Sequence, residues 1–471
     1  MNKKFYITTT LPYVNAEPHI GFAFEIIQAD AIARYHELLG DEVVFNFGTD
    51  EHGQKIYQKA LEEGKDPQKY CDEYAAKFDA LKKALNLNYT NFIRTTNSAH
   101  IKAAQEFWKL CVKNDDIYKK FYKIKYCVGC ELEKTESELV DGKCPLHSNR
   151  DLEIIEEENY FFKFSKYQKP LLDFYKKNPD FVIPESKFNE IKTFVKSGLQ
   201  DFSISRLKSK MPWGIDIPDD PEQIMYVWFD ALINYISTLG WPEDEKKFKD
   251  FWPGVQVAGK DNLRQQSAIW QAMLLSAKLS SSKQIFIHGF LTVNGQKISK
   301  SLGNVINPIE LVKKYGTDPV RYFLLAKVHP FEDSDFTIEK FEKAYNADLA
   351  NGLGNLVSRV AKLCETSGFG FLKNPLLFYE ETEKNLKEYR FDNALKFLWE
   401  VIGKTDNLID KEKPWKLKDK KLKEVLKDLV QNIRLIAHNL KPFLPETADA
   451  IEKQFAGPKI KVKAPLFPRL R

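Results

Sequence analysis

FYITTTLPYVNAEPHIGFAFEIIQADAIARYHELLGDEVVFNF, residues 5–47, is the stretch that decides the fold class. Residues 5–10 are β-branched and aromatic and read as a strand. Pro12, Asn15 and Pro18 mark a loop, after which Ile20, Phe24, Ile27, Ala31, Tyr35 and Leu38 recur at the three- and four-residue spacing of a helix face. Gly40-Asp41 stops the helix. Residues 42–47 form a nearly continuous apolar run, which suits a parallel strand covered on both faces. The simplest reading is a βαβ unit, and it predicts an α/β fold on a parallel sheet.

Working outward, residues 53–85 and 98–113 read as helical, with a short β-like piece at 91–95. From 117 the pattern is shorter and more β-like, with a charged run at 153–158 and the Pro/Asp-rich Ile217-Pro-Asp-Asp-Pro-Glu222. This reads as an insertion. Strand and helix alternation resumes with Met225-Tyr-Val-Trp-Phe-Asp230 and Val255-Gln-Val-Ala258. A helix over 262–278 and Gln284-Ile-Phe-Ile-His-Gly289 complete the split sheet. After about Asp335 the pattern is almost wholly helical and is Lys-rich over 411–427. The expected organisation is 1–116, first half of the sheet domain; 117–222, insert; 223–335, second half; 336–471, helical domain.

A chain of 471 residues, 43% hydrophobic and 29% charged, is too long for one small binding module. No apolar run approaches the ~20 residues that span a bilayer. The N-terminus has no secretory pattern, so a cytoplasmic protein without a membrane partner is expected. A net charge of +5 permits a nucleic-acid partner without requiring one. Six cysteines cannot form a disulfide scaffold at this length, and three of them cluster: Cys127, Cys130 and Cys144.

Cys127-Val-Gly-Cys130 followed by Cys144-Pro-Leu-His147 gives two tight pairs of soft ligands, the spacing of a closed tetrahedral zinc site with no open position for catalysis. One structural Zn2+ is expected, folding an insert that lacks an apolar core of its own. Pro18-His19-Ile20-Gly21 stands at a helix mouth, where free N–H groups and the dipole favour an anion such as a nucleotide phosphate. Alone it could equally be a capping turn. Lys297-Ile-Ser-Lys-Ser301 lies between Gly295 and Gly303, where two lysines can close over a polyphosphate. Its bland counterpart is a solvated basic turn, but the two motifs together are far more specific than either alone.

With these motifs in order, the chain resembles the class I aminoacyl-tRNA synthetases, specifically the methionine-charging family. Leu11-Pro-Tyr-Val-Asn15, Gly48-Thr-Asp-Glu-His-Gly53, Gly198-Leu-Gln-Asp-Phe-Ser-Ile-Ser-Arg206, Trp213-Gly-Ile215, Tyr226-Val-Trp-Phe-Asp-Ala231, Gly259-Lys-Asp261, His288-Gly-Phe-Leu-Thr-Val-Asn-Gly295 and Lys441-Pro-Phe-Leu-Pro-Glu-Thr447 extend the likeness along the chain. The resemblance implies a split Rossmann-like domain with a zinc-knuckle insert, followed by an all-α anticodon-binding bundle. It implies activation of methionine by ATP with Mg2+, then transfer to tRNA(Met), initiator tRNA included. His19, Gly21, Lys297 and Lys300 would be catalytic, and Pro12, Asn15 and Ser299 would join them in holding ATP. Leu11, Tyr13, Asp50, Trp228, Ala231, Tyr235 and His288 would hold methionine, Asp50 taking the α-amino group. Asn355, Arg359 and Trp415 would read the CAU anticodon, although without the family context they read as a helix-surface pair and a packing tryptophan.

Three positions depart from the family's usual pattern: Phe22, where a histidine or polar residue is common; Gln266, where histidine is common; and Leu232, where proline is common. A runner-up is a synthetase for leucine, isoleucine, valine or cysteine. Isoleucine and valine enzymes need an editing domain, and here the insert carries a knuckle; a cysteine enzyme would need a metal at the amino-acid pocket. A nucleotidyltransferase would not need the helical domain, and a non-catalytic tRNA-binding paralogue should have lost the lysine loop. With no C-terminal tRNA-binding and dimerising extension in view, a monomer is expected.

Overall fold

The apolar runs assemble into a six-stranded sheet in the order Asn91–Arg94, Glu42–Thr49, Lys4–Thr9, Val255–Gly259, Gln284–His288, Val182–Ile183. The structure is a computed structural model and describes residues 3–130, 132–134, 136–299 and 303–470. Lys4–Thr9 is parallel to both neighbours, with Ile7 opposite Phe45 on one side and Val255 on the other. Glu42–Thr49 runs parallel to Asn91–Arg94, and Gln284–His288 to Val182–Ile183. Strand residues are buried almost throughout, which is why they read as continuous apolar runs. From the central strand Lys4–Thr9 the chain builds first to one side and later to the other. Such a reversal opens a crevice at the carboxyl ends of Lys4–Thr9 and Val255–Gly259, where open parallel sheets take their ligands.

The chain divides into two compact units. The first comprises Met1–Glu17, Glu42–Ala80 and Tyr89–Ile287. Its core joins Phe107 and Trp108 of helix Ser98–Lys113 to Phe229, Trp241 and Trp270. A long antiparallel pair, Ile117–Cys127 with Glu153–Phe162, runs in register from Ile117 opposite Phe162 to Tyr126 opposite Glu153. The residues after this pair also form helices Gln168–Lys177 and Glu185–Lys196 and supply the sheet's edge strand Val182–Ile183.

One local expectation is corrected. Residues 225–230 read as a strand; Asp220–Met225 is one, antiparallel to Ser205–Leu207, but the backbone turns helical at Val227–Ala231. Val227, Phe229, Asp230 and Ala231 are all buried, so this turn has no polar face to betray a helical period.

The second unit comprises Pro18–Asp41, Leu81–Asn88 and His288–Arg471. It carries a three-stranded sheet in which Leu291–Val293 pairs antiparallel with Gln296–Lys297 and parallel with Ser334–Phe336. Beyond Ser334–Phe336 the described residues are helices and loops, as the sequence suggested. Buried Arg321 ties this unit together: it is ion-paired with Asp30 at 2.7 Å and donates to the carbonyls of Leu85, Pro442 and Phe443 at 3.1, 3.1 and 2.8 Å. Among the described residues no helix is long and apolar enough to cross a membrane.

Candidate functional site

In the first unit, the loops leaving the central strands bring together several residues expected to hold an amino acid. Asp50 N–H donates to the Pro12 carbonyl at 3.0 Å and Val14 N–H to the Asp50 carbonyl at 3.3 Å, so Tyr13 and Asp50 pair as a short parallel bridge. Tyr13 meets Trp228 edge to face at 6.1 Å, and Asp50 is buried. Ala231 ends the helical turn bearing Trp228, and Tyr235 lies on the next turn, Asn234–Ser237. The two turns are joined by Asn234 Nδ2, which donates to the Ala231 carbonyl at 2.6 Å. Leu11 and Asn15 are half-buried on the loop after Lys4–Thr9.

Asp230 anchors this wall from behind. Its carboxylate meets His52 Nδ1 at 2.8 Å and His100 Nε2 at 3.2 Å, and His100 Nδ1 meets the Ser237 hydroxyl at 2.8 Å. Burial pushes the Asp230 carboxyl up, but the charges and hydrogen bonds of His52 and His100 outweigh it, leaving it below the usual carboxylate range.

In the second unit, His19 caps helix Ile20–Leu38. Its backbone is extended and its Nδ1 accepts the Gly21 N–H at 3.1 Å. A ring accepting at Nδ1 carries its proton on Nε2, which is then a donor for an anion's oxygen. Burial lowers the His19 pKa to about 4, so the ring stays neutral near pH 7. Gly21 leaves room for this cap: a Cβ there would come within 2.9 Å of the imidazole. Phe22 stacks on the His19 ring at 4.3 Å, and Ile20 N–H binds the Ile306 carbonyl at 2.9 Å. His288 Nε2 faces the Glu25 carboxylate at 2.8 Å, and its Nδ1 faces the Gly289 carbonyl at 2.7 Å.

The lysine loop of this unit is pinned by Asn304, whose Oδ1 accepts from Ser299 N–H at 2.8 Å and whose Nδ2 donates to the Lys297 carbonyl at 3.0 Å. Lys297 is exposed on strand Gln296–Lys297. Lys300, its expected partner, lies outside the described residues.

Cys127, Cys130, Cys144 and His147 converge in the first unit, their ligand atoms within 4.8 Å of one another. Cys130 Sγ is 3.5 Å from Cys144 Sγ and 3.2 Å from His147 Nδ1, and Cys127 Sγ is 3.8 Å from that nitrogen. Zn–S bonds of about 2.3 Å and a Zn–N bond of about 2.0 Å put tetrahedral ligand atoms about 3.5 to 3.8 Å apart, so the cluster fits zinc. Each pair is a turn, Cys130 N–H to the Cys127 carbonyl at 3.1 Å and His147 N–H to the Cys144 carbonyl at 3.0 Å. The His147 ring lies against Gly129, where a Cβ would meet it at 2.4 Å.

On helix Asn355–Ser367 of the second unit, Asn355 is exposed and Arg359 half-buried one turn on. Asp406 and Asp410 of helix Phe391–Glu412 grip the Arg359 guanidinium, each at 2.6 Å. Trp415 follows Pro414 in a short 3-10 turn and is 58% exposed, unusual for so large an aromatic.

A family model for tRNA synthetases class I (M) matches residues 5–151 and 133–361. A methionine–tRNA ligase of Thermosynechococcus vestitus is 42% identical, over 100% of this chain and 93% of the relative. One from Thermotoga maritima is 42% identical over 95% of this chain and 74% of its own. The chain belongs to the methionine–tRNA ligase family of class I tRNA synthetases. Solved structures agree with membership. The Mycobacterium tuberculosis methionyl-tRNA synthetase in complex with methionyl-adenylate matches with a TM-score of 0.91 at 34% identity, covering 99% of this chain and 100% of that one. Its apo form matches at 0.84 and 30%, covering 100% and 99%.

Within this family frame, several residues with structural claims on the site escaped the sequence reading: His52, His100 and Asp230, the loop clamp Asn304, and the carboxylates on Arg359. His52 and Asp230 sit inside the motifs Gly48–Gly53 and Tyr226–Ala231 and could have been singled out there; His100, Asp406 and Asp410 carry no local signal, because their partners are remote in sequence. Of the departures, Phe22 packs on the His19 ring, and Gln266 is buried with both ends of its amide hydrogen-bonded. Leu232 is buried in the first unit's core.

Proposed function

We propose that this chain ligates methionine to tRNA(Met), initiator and elongator alike, in two steps. The methionine carboxylate attacks the α-phosphorus of ATP, the bond to the bridging oxygen breaks, and pyrophosphate leaves from methionyl-adenylate. A ribose hydroxyl of the tRNA's terminal adenosine then attacks the acyl carbon, and AMP leaves. The observation that carries this reading is the full-length likeness to methionine–tRNA ligases. Asp50 pairs with the α-ammonium, and Leu11, Tyr13, Trp228, Ala231, Tyr235 and His288 surround the side chain, aromatic walls suiting a polarizable thioether. The neutral His19 Nε2–H donates to an ATP phosphate beside Gly21, with Pro12 and Asn15 on the nucleotide, while Lys297, Ser299 and Lys300 close on the leaving pyrophosphate with its Mg2+. Zn2+ on Cys127, Cys130, Cys144 and His147 holds the knuckle in shape and takes no part in the chemistry.

Asn355, Arg359 and Trp415 read the anticodon, by hydrogen bonds to base edges and by stacking. Charging of tRNA transcripts with CAU and altered anticodons tests this. Arg359→Ala is expected to lower kcat/KM for CAU-bearing tRNA by about 10- to 100-fold, the usual cost of one base-reading arginine, with methionine-dependent pyrophosphate exchange unchanged. An equal fall in both assays would refute the assignment of Arg359 to the anticodon.

A further inference from the structure

Asn304 pins the far end of the lysine loop. The near end leaves a hairpin whose anchor is a carboxylate that no step above uses. Leu291–Val293 turns back into Gln296–Lys297 through Asn294 and Gly295, with φ of 53° and 72°. Positive φ at both central residues is the pattern of a type I′ turn, and Asn-Gly is the dipeptide that favours it. Gln296–Lys297 is exposed, two residues long and at the edge of its three-stranded sheet. A two-stranded hairpin alone is marginal in water, so whatever fixes the turn also fixes Lys297.

A two-residue turn leaves the N–H groups of its central residues outside the hairpin ladder, and buried or half-buried donors need partners. Strand Ser334–Phe336 supplies both. Asn294 N–H donates to the Phe336 carbonyl at 3.2 Å, and Gly295 N–H donates to Asp335 Oδ1 at 2.6 Å. The Thr292 hydroxyl donates to the same Oδ1 at 2.9 Å, with the Ser334 carbonyl at 3.2 Å as its longer alternative. Thr292 stands opposite Lys297 on one side and Asp335 on the other, so the three form one row across a face of the sheet.

The second oxygen, Asp335 Oδ2, is ion-paired with Lys340 Nζ at 3.1 Å. Lys340 lies in the first turn of helix Ile338–Ala344, where its N–H donates to the capping Thr337 hydroxyl oxygen at 3.1 Å. One oxygen therefore grips the turn while the helix holds the other. Burial pushes the Asp335 carboxyl up, but Gly295 N–H, Thr292 and Lys340 outweigh it and leave it below the usual carboxylate range. Both oxygens are thus acceptors near neutral pH.

We propose that Asp335 is the positioning residue of Lys297, its carboxylate setting where that lysine stands by holding Gly295 N–H and the Thr292 hydroxyl. This rests on the reading of Lys297 as a clamp on the leaving pyrophosphate. Charge builds on the leaving oxygen only as its bond to the α-phosphorus breaks, so a displaced lysine costs kcat rather than the binding of methionine or ATP.

Methionine-dependent pyrophosphate exchange by the full chain tests the proposal. Asp335→Ala is expected to lower kcat about 10- to 100-fold, the effect of losing hydrogen bonds to a charged acceptor, with the KM for methionine and for ATP within about twofold. Asp335→Asn keeps an oxygen for Gly295 N–H and Thr292 and should return kcat to within about threefold. Added to Lys297→Ala, Asp335→Ala should cost less than about twofold more, because changes that act through one group do not add. Thr292→Val, which removes one of the two bonds and keeps the strand's shape, should lower kcat about fivefold and keeps the test decisive if Asp335→Ala folds poorly. An unchanged kcat in Asp335→Ala or in Thr292→Val would overturn the proposal. So would losses that fall on the KM values, failure of Asp335→Asn to rescue, or a double variant that shows the product of the two single losses. Failure of the underlying reading looks different: Lys297→Ala would itself leave kcat unchanged, and the proposal would fall with it.

Discussion

His19 does two things with one ring. Nδ1 caps the helix through Gly21 N–H, and the same bond leaves the neutral ring's proton on Nε2 as a donor. Neutrality has a signature. The folded ring titrates at about 4, against 6.5 for a free imidazole, so below pH 6.5 the unfolded chain takes up a proton that the folded chain refuses. The contribution to stability is therefore intact above pH 6.5 and lost progressively as pH falls toward 4. Asparagine also caps helices but does not titrate, so melting of His19→Asn beside the unaltered protein isolates the effect. The advantage of the unaltered protein at pH 7 is expected to shrink at pH 5; a gap that holds or widens on acidification would mean that His19 is charged in the fold. The cap was legible in the sequence as Pro18-His-Ile-Gly21, because a helix start is a local event. The Asp230 network was not: its histidines come from positions 52 and 100, and only the closed fold puts them on one carboxylate.

At the scale of elements, the knuckle shows how much a spacing can carry. Two tight turns of Cys127–Cys130 and Cys144–His147 were readable because metal geometry restricts them. What spacing could not show is that the second turn lies against the first at Gly129, where no side chain fits beside the His147 ring. Gly129→Ala is thus expected to weaken zinc affinity at least tenfold, the usual cost of displacing a ligand's support, as read by chelator competition with metal analysis. Zinc retention equal to that of the unaltered chain would refute the close approach. The helical turn Val227–Ala231 marks the opposite limit. Buried at Val227, Phe229, Asp230 and Ala231, it has neither the two-residue nor the 3.6-residue period, and its β-rich composition points the wrong way. The two-residue edge strand Val182–Ile183 is likewise too short to announce itself, and its partner Gln284–His288 lies about a hundred residues on.

At the scale of the whole molecule, the parallel sheet was legible because covered strands write themselves as apolar runs, whereas the order of its strands was not. The all-helical character beyond Ser334–Phe336 was legible for the same kind of reason, sustained helical periodicity. The residues proposed to hold the amino acid and the phosphates come from segments scattered along the chain, and their grouping followed only from family resemblance. The activity on which every assignment rests is the activation of methionine with ATP. Amino-acid-dependent ATP–pyrophosphate exchange across a panel of amino acids measures that directly. Strong exchange with methionine, with leucine, isoleucine, valine and cysteine far behind, is the predicted result. Exchange led by isoleucine, or none with any amino acid, would contradict it.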